Sequence, residues 1–505
     1  MRHASLLVLA ALTFGITSAT SPRAHAAPQI ALNVDGQADY STLAPWSNIA
    51  GQFNPDKMLT YWSGYVDGNY KVTWNGAAAP SIIGGKSTFR VTGPGQGVLT
   101  LRHDNPGPHG GGTFHVQLNG ATNLNIIAPD TVPGTPFRKP FLDKVTNLVG
   151  GSVIRYMDWM STNHSPVVNW SDRNTSFYQT TAAGVSYEHV VALSNAANAD
   201  AWVNIPHKAS DDYVRNFARF LKTSLKPNLR VHIEYSNELW NGGDQGQGTW
   251  NLMQARADPQ FTKTDDTGKM AQRAAERLRQ ITTIFKQEFG SEYKARVTPE
   301  IGGFIANPYW AQWQIDWLKA KGVDVAGDNY RVAIAPYLPG SEQDLALQGT
   351  ESKDQIFAKL YSFMNGPVRE WIRQNKAVAS AAGITLDSYE AAAGSFYAVF
   401  NPAHKALLPT FLEMQTDPRM GQLEKDFIAM WDQESGGGIY NAFGLVSPYS
   451  QYGQWGLLTD VNASGSVKYD AVLGMVNPRV PEPAAIGAVG VVALMLTGRR
   501  GRRAA

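Results

Sequence analysis

Val231-His232-Ile233-Glu234-Tyr235-Ser236-Asn237-Glu238-Leu239-Trp240-Asn241 decides how this chain of 505 residues is read. Its first half is β-branched and aromatic, which predicts a strand over 230–235, and the Asn237-Glu238 pair then falls at that strand's C-terminal end. On either side the period changes. Tyr213, Phe217, Phe220, Leu221 and Leu225 recur at helical spacing behind the capping pair Ser210-Asp211, and Leu278, Ile281, Phe285 and Phe289 repeat that spacing downstream. Further out, strand-like runs stand at 124–128, 152–159, 201–206, 296–302, 323–336, 384–389 and 453–458, which with 230–235 gives eight. Strand and helix alternating over roughly 350 residues predict an α/β fold, a (β/α)8 TIM barrel spanning 121–478. A doubly wound sheet is the competitor, but no Gly-rich dinucleotide turn or phosphate loop stands between a strand and a helix.

Ahead of the barrel, 27–120 is rich in Gly, Thr, Asn and Pro and carries short alternating runs at 70–74, 88–91, 97–101 and 113–118. That pattern predicts a small antiparallel β-sandwich domain, in which Gly93-Pro94-Gly95-Gln96-Gly97 is a turn. His103, Asp104, His109 and His115 invite a metal reading. The Gly and Pro between them form a loop and not a ligand face, so neither a metal nor an organic cofactor is expected. At 43% hydrophobic and 17% charged the chain is not wholly disordered, and its 48 Gly and 28 Pro follow no collagen-like period. With no Cys there are no disulfides, no thiol nucleophile and no Cys-ligated zinc.

The two ends read differently from the body. Arg2, an apolar run over 6–15 and the small residues closing in Ala24-His25-Ala26 predict a cleaved signal peptide over 1–26. At 479–505 stand Val480-Pro481-Glu482-Pro483, an apolar stretch over 484–497, and Arg499, Arg500, Arg502 and Arg503. That stretch is shorter than the about 20 residues of a stable span and the arginines resist crossing, so a short, transient transmembrane anchor is expected. This tail resembles the PEP-CTERM sorting signal of Gram-negative bacteria, which implies an exosortase-type processing enzyme as partner and a place at the cell surface or in the extracellular matrix. Setting aside the arginines of both ends and Glu482 turns the formal charge of +2 into a slightly acidic body. It offers no basic field to a nucleic acid.

In a (β/α)8 barrel, chemistry collects at the C-terminal strand ends. Ile384-Thr385-Leu386-Asp387-Ser388-Tyr389-Glu390 ends the seventh expected strand in a second Glu, and strands four and seven face each other across a barrel mouth. Two carboxylates so placed are what hydrolysis of a glycosidic bond needs: one protonates the departing oxygen, the other attacks the anomeric carbon or activates water. Glu434, in Trp431-Asp432-Gln433-Glu434-Ser435-Gly436, is the alternative to Glu390.

Asn237-Glu238 after the fourth strand and Glu390 after the seventh resemble the clan-A glycoside hydrolases, retaining (β/α)8 enzymes such as the cellulase and mannanase families. Arg155-Tyr156-Met157-Asp158-Trp159, Asn204-Ile205-Pro206-His207, Ala335-Pro336-Tyr337 and Gly453-Gln454-Trp455-Gly456-Leu457 resemble secreted bacterial proteins labelled cellulose-binding or cellulase-like. The resemblance implies an exported retaining glycoside hydrolase of a β-linked polysaccharide, with Glu238 as acid/base and Glu390 as nucleophile. Asn237 would hold the sugar 2-hydroxyl, Arg155 would set its charge beside the nucleophilic carboxylate, and Tyr337 would donate to the same group. His207 and Trp455 would line the subsite beside the scissile bond; Trp159 and Trp240 are further candidate platforms near strand ends. Where a Gly-rich run is expected after Glu390, this chain has Ala391-Ala392-Ala393. That departure feeds a second reading, a barrel that binds envelope or exopolysaccharide glycan without turnover.

Overall fold

The computed structural model describes residues 27–36, 43–52, 58–62, 64–103, 111–175, 181–243 and 246–476. Eight parallel strands make one sheet: β1 (Ile30–Asn33), β2 (Val153–Arg155), β3 (Asp200–Ile205), β4 (Val231–Tyr235), β5 (Val297–Gly302), β6 (Arg331–Ile334), β7 (Thr385–Ser388) and β8 (Tyr440–Phe443). Their order, β7-β6-β5-β4-β3-β2-β1-β8, brings the ends of the sheet together. At the seam Ser388 N donates to Ile439 O at 2.9 Å, while Ile439 N and Asn441 N donate to the side chains of Asp387 and Ser388 at 2.9 and 2.8 Å. Side chains thus replace part of the missing ladder, and the sheet is a nearly closed barrel.

All five residues of β4 are buried, as expected of a parallel strand with side chains filling one face and helices covering the other. The helix Asp211–Ser224 forms where its spacing predicts. Ser210 Oγ accepts from Tyr213 N at 3.2 Å, a cap of about 1 kcal/mol, and Tyr213, Val214, Phe217 and Leu221 turn inward. The helix Asp266–Phe289 likewise buries Leu278, Ile281, Phe285 and Phe289.

Two of the eight expected strands are elsewhere. Residues 124–128 belong to no barrel strand; the strand Thr122–Ile127 pairs antiparallel with Gly68–Asn75. Its inner half alternates between buried and half-buried positions, the mark of a sheet with one covered face. The first barrel strand is instead β1, whose four residues Ile30-Ala31-Leu32-Asn33 are all buried. Residues 453–458 are loop, and β8 is Tyr440–Phe443, released from the preceding helix by Gly436 in the left-handed conformation.

The expected boundary at residue 120 therefore does not divide the sheets. The antiparallel part is inserted between β1 and the first barrel helix, Lys139–Val149. It has a three-stranded sheet (Met58–Trp62, Gly111–Gln117, Ser81–Ile83) and a four-stranded one (Thr88–Gly93, Gln96–Leu101, Gly68–Asn75, Thr122–Ile127). Trp46 binds it to the barrel, packing against Phe137 at 5.9 Å, Trp159 at 5.1 Å and His189 at 4.3 Å. Arg138, wholly buried, adds a charged tie to Asp130 at 2.6 Å and reaches Asn462 in the loop after β8 at 3.4 Å. The expected signal peptide and C-terminal sorting tail lie outside the described residues. Among the described residues no helix is long and apolar enough to cross a membrane.

Candidate active site

Arg155, the last residue of β2, organises the floor of the barrel mouth. A guanidinium has five N–H donors. Here Nε and Nη2 grip Glu234 of β4 at 3.0 and 3.1 Å, Nη2 also reaches Asn237 Oδ1 at 2.9 Å, and Nη1 donates to Asn33 Oδ1 at 3.1 Å and Glu390 Oε1 at 2.6 Å. Glu234 also accepts from Trp202 Nε1 at 2.8 Å and Asn204 Nδ2 at 2.9 Å. The floor is a saturated network in which Arg155 can move only if both carboxylates move with it.

Glu390 follows β7 by two residues and sits on this floor. Tyr337, just after β6, donates its hydroxyl to Glu390 Oε2 at 2.7 Å, so each carboxyl oxygen carries one strong donor. The alanine run explains how the two loops are joined. Ala392 and Ala393 pair with Tyr337 and Leu338 in a short parallel ladder, and Ala391 bridges Ala442 beyond. Ala391 and Ala393 are buried, and Gly394 then turns the chain at φ +68. The departure from a Gly-rich run is thus a compact structural joint beside Glu390.

Glu238 lies three residues past β4. The chain reaches it through a tight turn in which Ser236 and Glu238 both take left-handed conformations, φ +59 and +46. Such non-glycine residues cost of order 1 kcal/mol each and are held by surrounding bonds. Here Asn204 Nδ2 fixes Ser236 O at 2.8 Å, and Asn241 N fixes Glu238 O at 3.0 Å. Among the described residues the Glu238 carboxyl has only a long contact, from Tyr389 Oη at 3.4 Å. Burial first, and then the negative charge of Glu390, push it up to about 8, with Arg155 opposing. Its surroundings therefore favour the protonated form.

Glu238 and Glu390 line one cavity of about 460 Å³, together with Tyr337, Trp240, Phe304, Trp371, Tyr389 and Trp455. Trp455 stands edge-on to Tyr337 at 5.1 Å and to Phe443 at 5.9 Å. On the Glu238 side Trp240 stacks on Phe304 at 4.2 Å. A carboxyl nearly without donors, a carboxyl held by two donors and flat apolar walls occupy one space.

The remaining expected residues are distributed less evenly. Asn237 is buried; it accepts from Arg155 and donates to Asn163 Oδ1 at 3.1 Å. His207 is buried, its ring edge-on to Trp250 at 6.1 Å, and is not among the residues lining the cavity. Trp159 is wholly buried in the aromatic cluster behind β2 and offers no platform. Glu434 lies on the helix Pro418–Ser435, bound by Arg373 at 2.8 Å and Arg369 at 3.2 Å, and does not line the cavity.

Three acidic residues escape the sequence reading. Glu234 stands four residues before Glu238 and is signalled only by the need of a buried Arg155 for a counter-charge. Asp35, two residues past β1, and Asp158, three past β2, occupy strand ends. Burial pushes each up to about 7; Asp158 adds to the rise of Asp35 and Glu390 to that of Asp158, whereas the Val446 N–H, 2.8 Å from Asp35 Oδ2, opposes. Asp35 follows the short β1, whereas the sequence pattern places the first barrel strand at 124–128.

No family model matches the sequence, and no curated protein matches it. Among solved structures the chain is similar to a glycoside hydrolase family 51 arabinofuranosidase from Xanthomonas axonopodis pv. citri, at 13% identity and a TM-score of 0.44, covering 69% of this chain and 68% of that one. It is also similar to a 4-O-α-L-rhamnosyl-β-D-glucuronidase from Fusarium oxysporum 12S, at 11% identity and a TM-score of 0.40, covering 67% and 64%. A Bacteroidetes-affiliated family 5 cellulase linked with a polysaccharide utilization locus is similar at 10% identity and a TM-score of 0.35, covering 70% and 88%.

Proposed function

We propose that the protein is a retaining glycoside hydrolase of a β-linked polysaccharide. The observation that carries this reading is the unequal pair of carboxyls in one cavity: Glu390 between Arg155 and Tyr337, and Glu238, raised to about 8, with one long contact. Glu390 attacks the anomeric carbon as Glu238 gives its proton to the departing oxygen, and the bond from sugar to leaving group breaks as the bond to Glu390 forms. Glu238, now a carboxylate, takes a proton from water, and the resulting hydroxyl displaces Glu390 from the sugar. Tyr337 and Arg155 hold Glu390 in line, and Asn237, bound to Arg155 and Asn163 beneath the cavity, braces that floor. Trp455 stacks on the sugar ring at the cleavage site.

The signal-like 1–26 and the PEP-CTERM-like tail support export, with transient anchoring and exosortase-type processing at the surface of a Gram-negative cell. Deleting 481–505 should alter cell association and leave the purified activity unchanged. Incubation of the secreted body with a panel of β-linked polysaccharides tests the activity. Reducing ends should appear with wild type and vanish in Glu238→Gln and Glu390→Ala. Retardation of the protein by a polysaccharide that it never degrades would favour the binding-only reading instead.

A further inference from the structure

Exposed aromatic side chains are ordinary when scattered, but a contiguous group signals contact with something. Such a group lies on the rim of the barrel mouth. Phe400 is 73% exposed and Tyr452 59% exposed, and Tyr397 joins them, its ring 5.7 Å from Phe400 and 6.5 Å from Tyr452. They come from two loops, the one after β7 and the one after β8. Beneath them the backbone is fixed. Ala398 N donates to Gln451 O at 2.8 Å, and the buried Gln454 side chain accepts from Phe396 N at 2.9 Å and donates to Ser450 O at 2.6 Å. The rings are thus displayed on a rigid support, which lowers the ordering cost of binding.

We propose that Tyr397, Phe400 and Tyr452 form a distal sugar-binding subsite, continuous with the catalytic cavity through Trp455, that stacks a neutral pyranosyl unit of the same polysaccharide chain remote from the bond being cut. The continuity is direct: Trp455, which lines the cavity, donates its Nε1 to Tyr452 O at 3.1 Å. The chemistry follows from what the loops lack. Neither 391–403 nor 445–459 contains Asp, Glu, Lys, Arg or His, and the charged group bordering them, Glu342, whose Oε1 accepts from Asn401 N at 3.4 Å, would repel a phosphate, a uronate or an acidic peptide. The rim carries flat rings flanked by Asn401, Ser450 and Gln451. A pyranose matches this surface, with an apolar C–H face for the rings and hydroxyls at its edge for amides and hydroxyls. The inference rests on the glycoside hydrolase reading and adds that the substrate is a polymer, held well beyond the cleaved bond.

The test uses Phe400→Ala/Tyr452→Ala, two surface changes outside the catalytic cavity. Affinity electrophoresis is run in hydroxyethylcellulose, mixed-linkage β-glucan, glucomannan and xylan, and hydrolysis of p-nitrophenyl β-glycosides is measured alongside. The subsite predicts that the double variant binds the retarding polymer about tenfold more weakly and cuts it correspondingly less well, while the aryl glycoside rate is unchanged. Phe400→Trp should restore polymer binding. Unchanged polymer affinity in the double variant, with binding lost in Trp455→Ala, would overturn the subsite and leave the hydrolase reading standing. A wild type that neither binds nor cuts any of the polymers and glycosides would overturn both. Loss of self-association or of vesicle binding in the double variant, with polymer affinity intact, would assign the patch to that partner and also overturn the proposal.

Discussion

Glu234 and Glu238 stand four residues apart at one end of β4, yet their surroundings are opposite. Glu234, on the floor, receives four hydrogen bonds from Arg155, Trp202 and Asn204. Glu238, at the mouth, receives among the described residues one long contact, from Tyr389. Burial alone therefore does not make a carboxyl reactive. A buried carboxyl surrounded by donors is a structural anchor, and one left nearly without them is poised to hold and release a proton. Glu390 lies between these extremes, seated on the floor by Arg155 but facing the cavity.

The largest expected effect comes from Glu390, where floor and mouth meet. Glu390→Ala should lower kcat by about 10⁴-fold or more, and azide should partly restore turnover by replacing the missing nucleophile. Full activity in that variant would return the nucleophile's role to another carboxylate. Glu234→Ala acts on the floor instead. It leaves Arg155 with one carboxylate and should destabilise the fold by about 3–5 kcal/mol, read by urea unfolding. If Glu234→Ala instead leaves stability intact and removes only turnover, Glu234 belongs to the chemistry and the contrast between the two glutamates fails.

The sequence makes the four-seven pairing legible because Asn237-Glu238 and Glu390 each follow an apolar run in a strict alternation of strand and helix. It conceals β1, because Ile30-Ala31-Leu32-Asn33 is too short to show a period and is parted from its first helix by the inserted sheets. With β1 went Asp35. The partners of Arg155 are equally hidden, since Asn33, Glu234 and Glu390 meet only when four strands close. His207 and Trp159 illustrate the reverse error: a strand-end position places a residue near the mouth without turning its side chain into it.

Smaller effects sharpen the contrast. Tyr337→Phe removes one of the two donors on Glu390 and should cost about 10- to 100-fold in kcat with little change in stability, read by steady-state kinetics beside thermal melts. Glu238 gives a stability effect with a definite sign. Its folded-state value of about 8 lies above the ordinary 4.5, so the folded protein favours the protonated form. Its contribution to stability is whole at low pH and is lost as pH rises through about 8. Glu238→Gln, which cannot ionise, should melt like wild type at pH 4 and at a clearly higher temperature than wild type at pH 9.

The proposed proton-donor role of Glu238 is tested most directly by comparing wild type and Glu238→Gln on two substrates, an unactivated polysaccharide and a p-nitrophenyl glycoside of the same sugar. A nitrophenolate leaves without a proton, whereas a sugar hydroxyl does not. The variant should therefore lose at least about 100-fold more activity on the polysaccharide than on the aryl glycoside. On the polysaccharide, wild-type activity should fall as pH rises through about 8, where Glu238 loses its proton, whereas the aryl glycoside rate should not. Equal losses on both substrates would contradict the assignment of Glu238 as the proton donor.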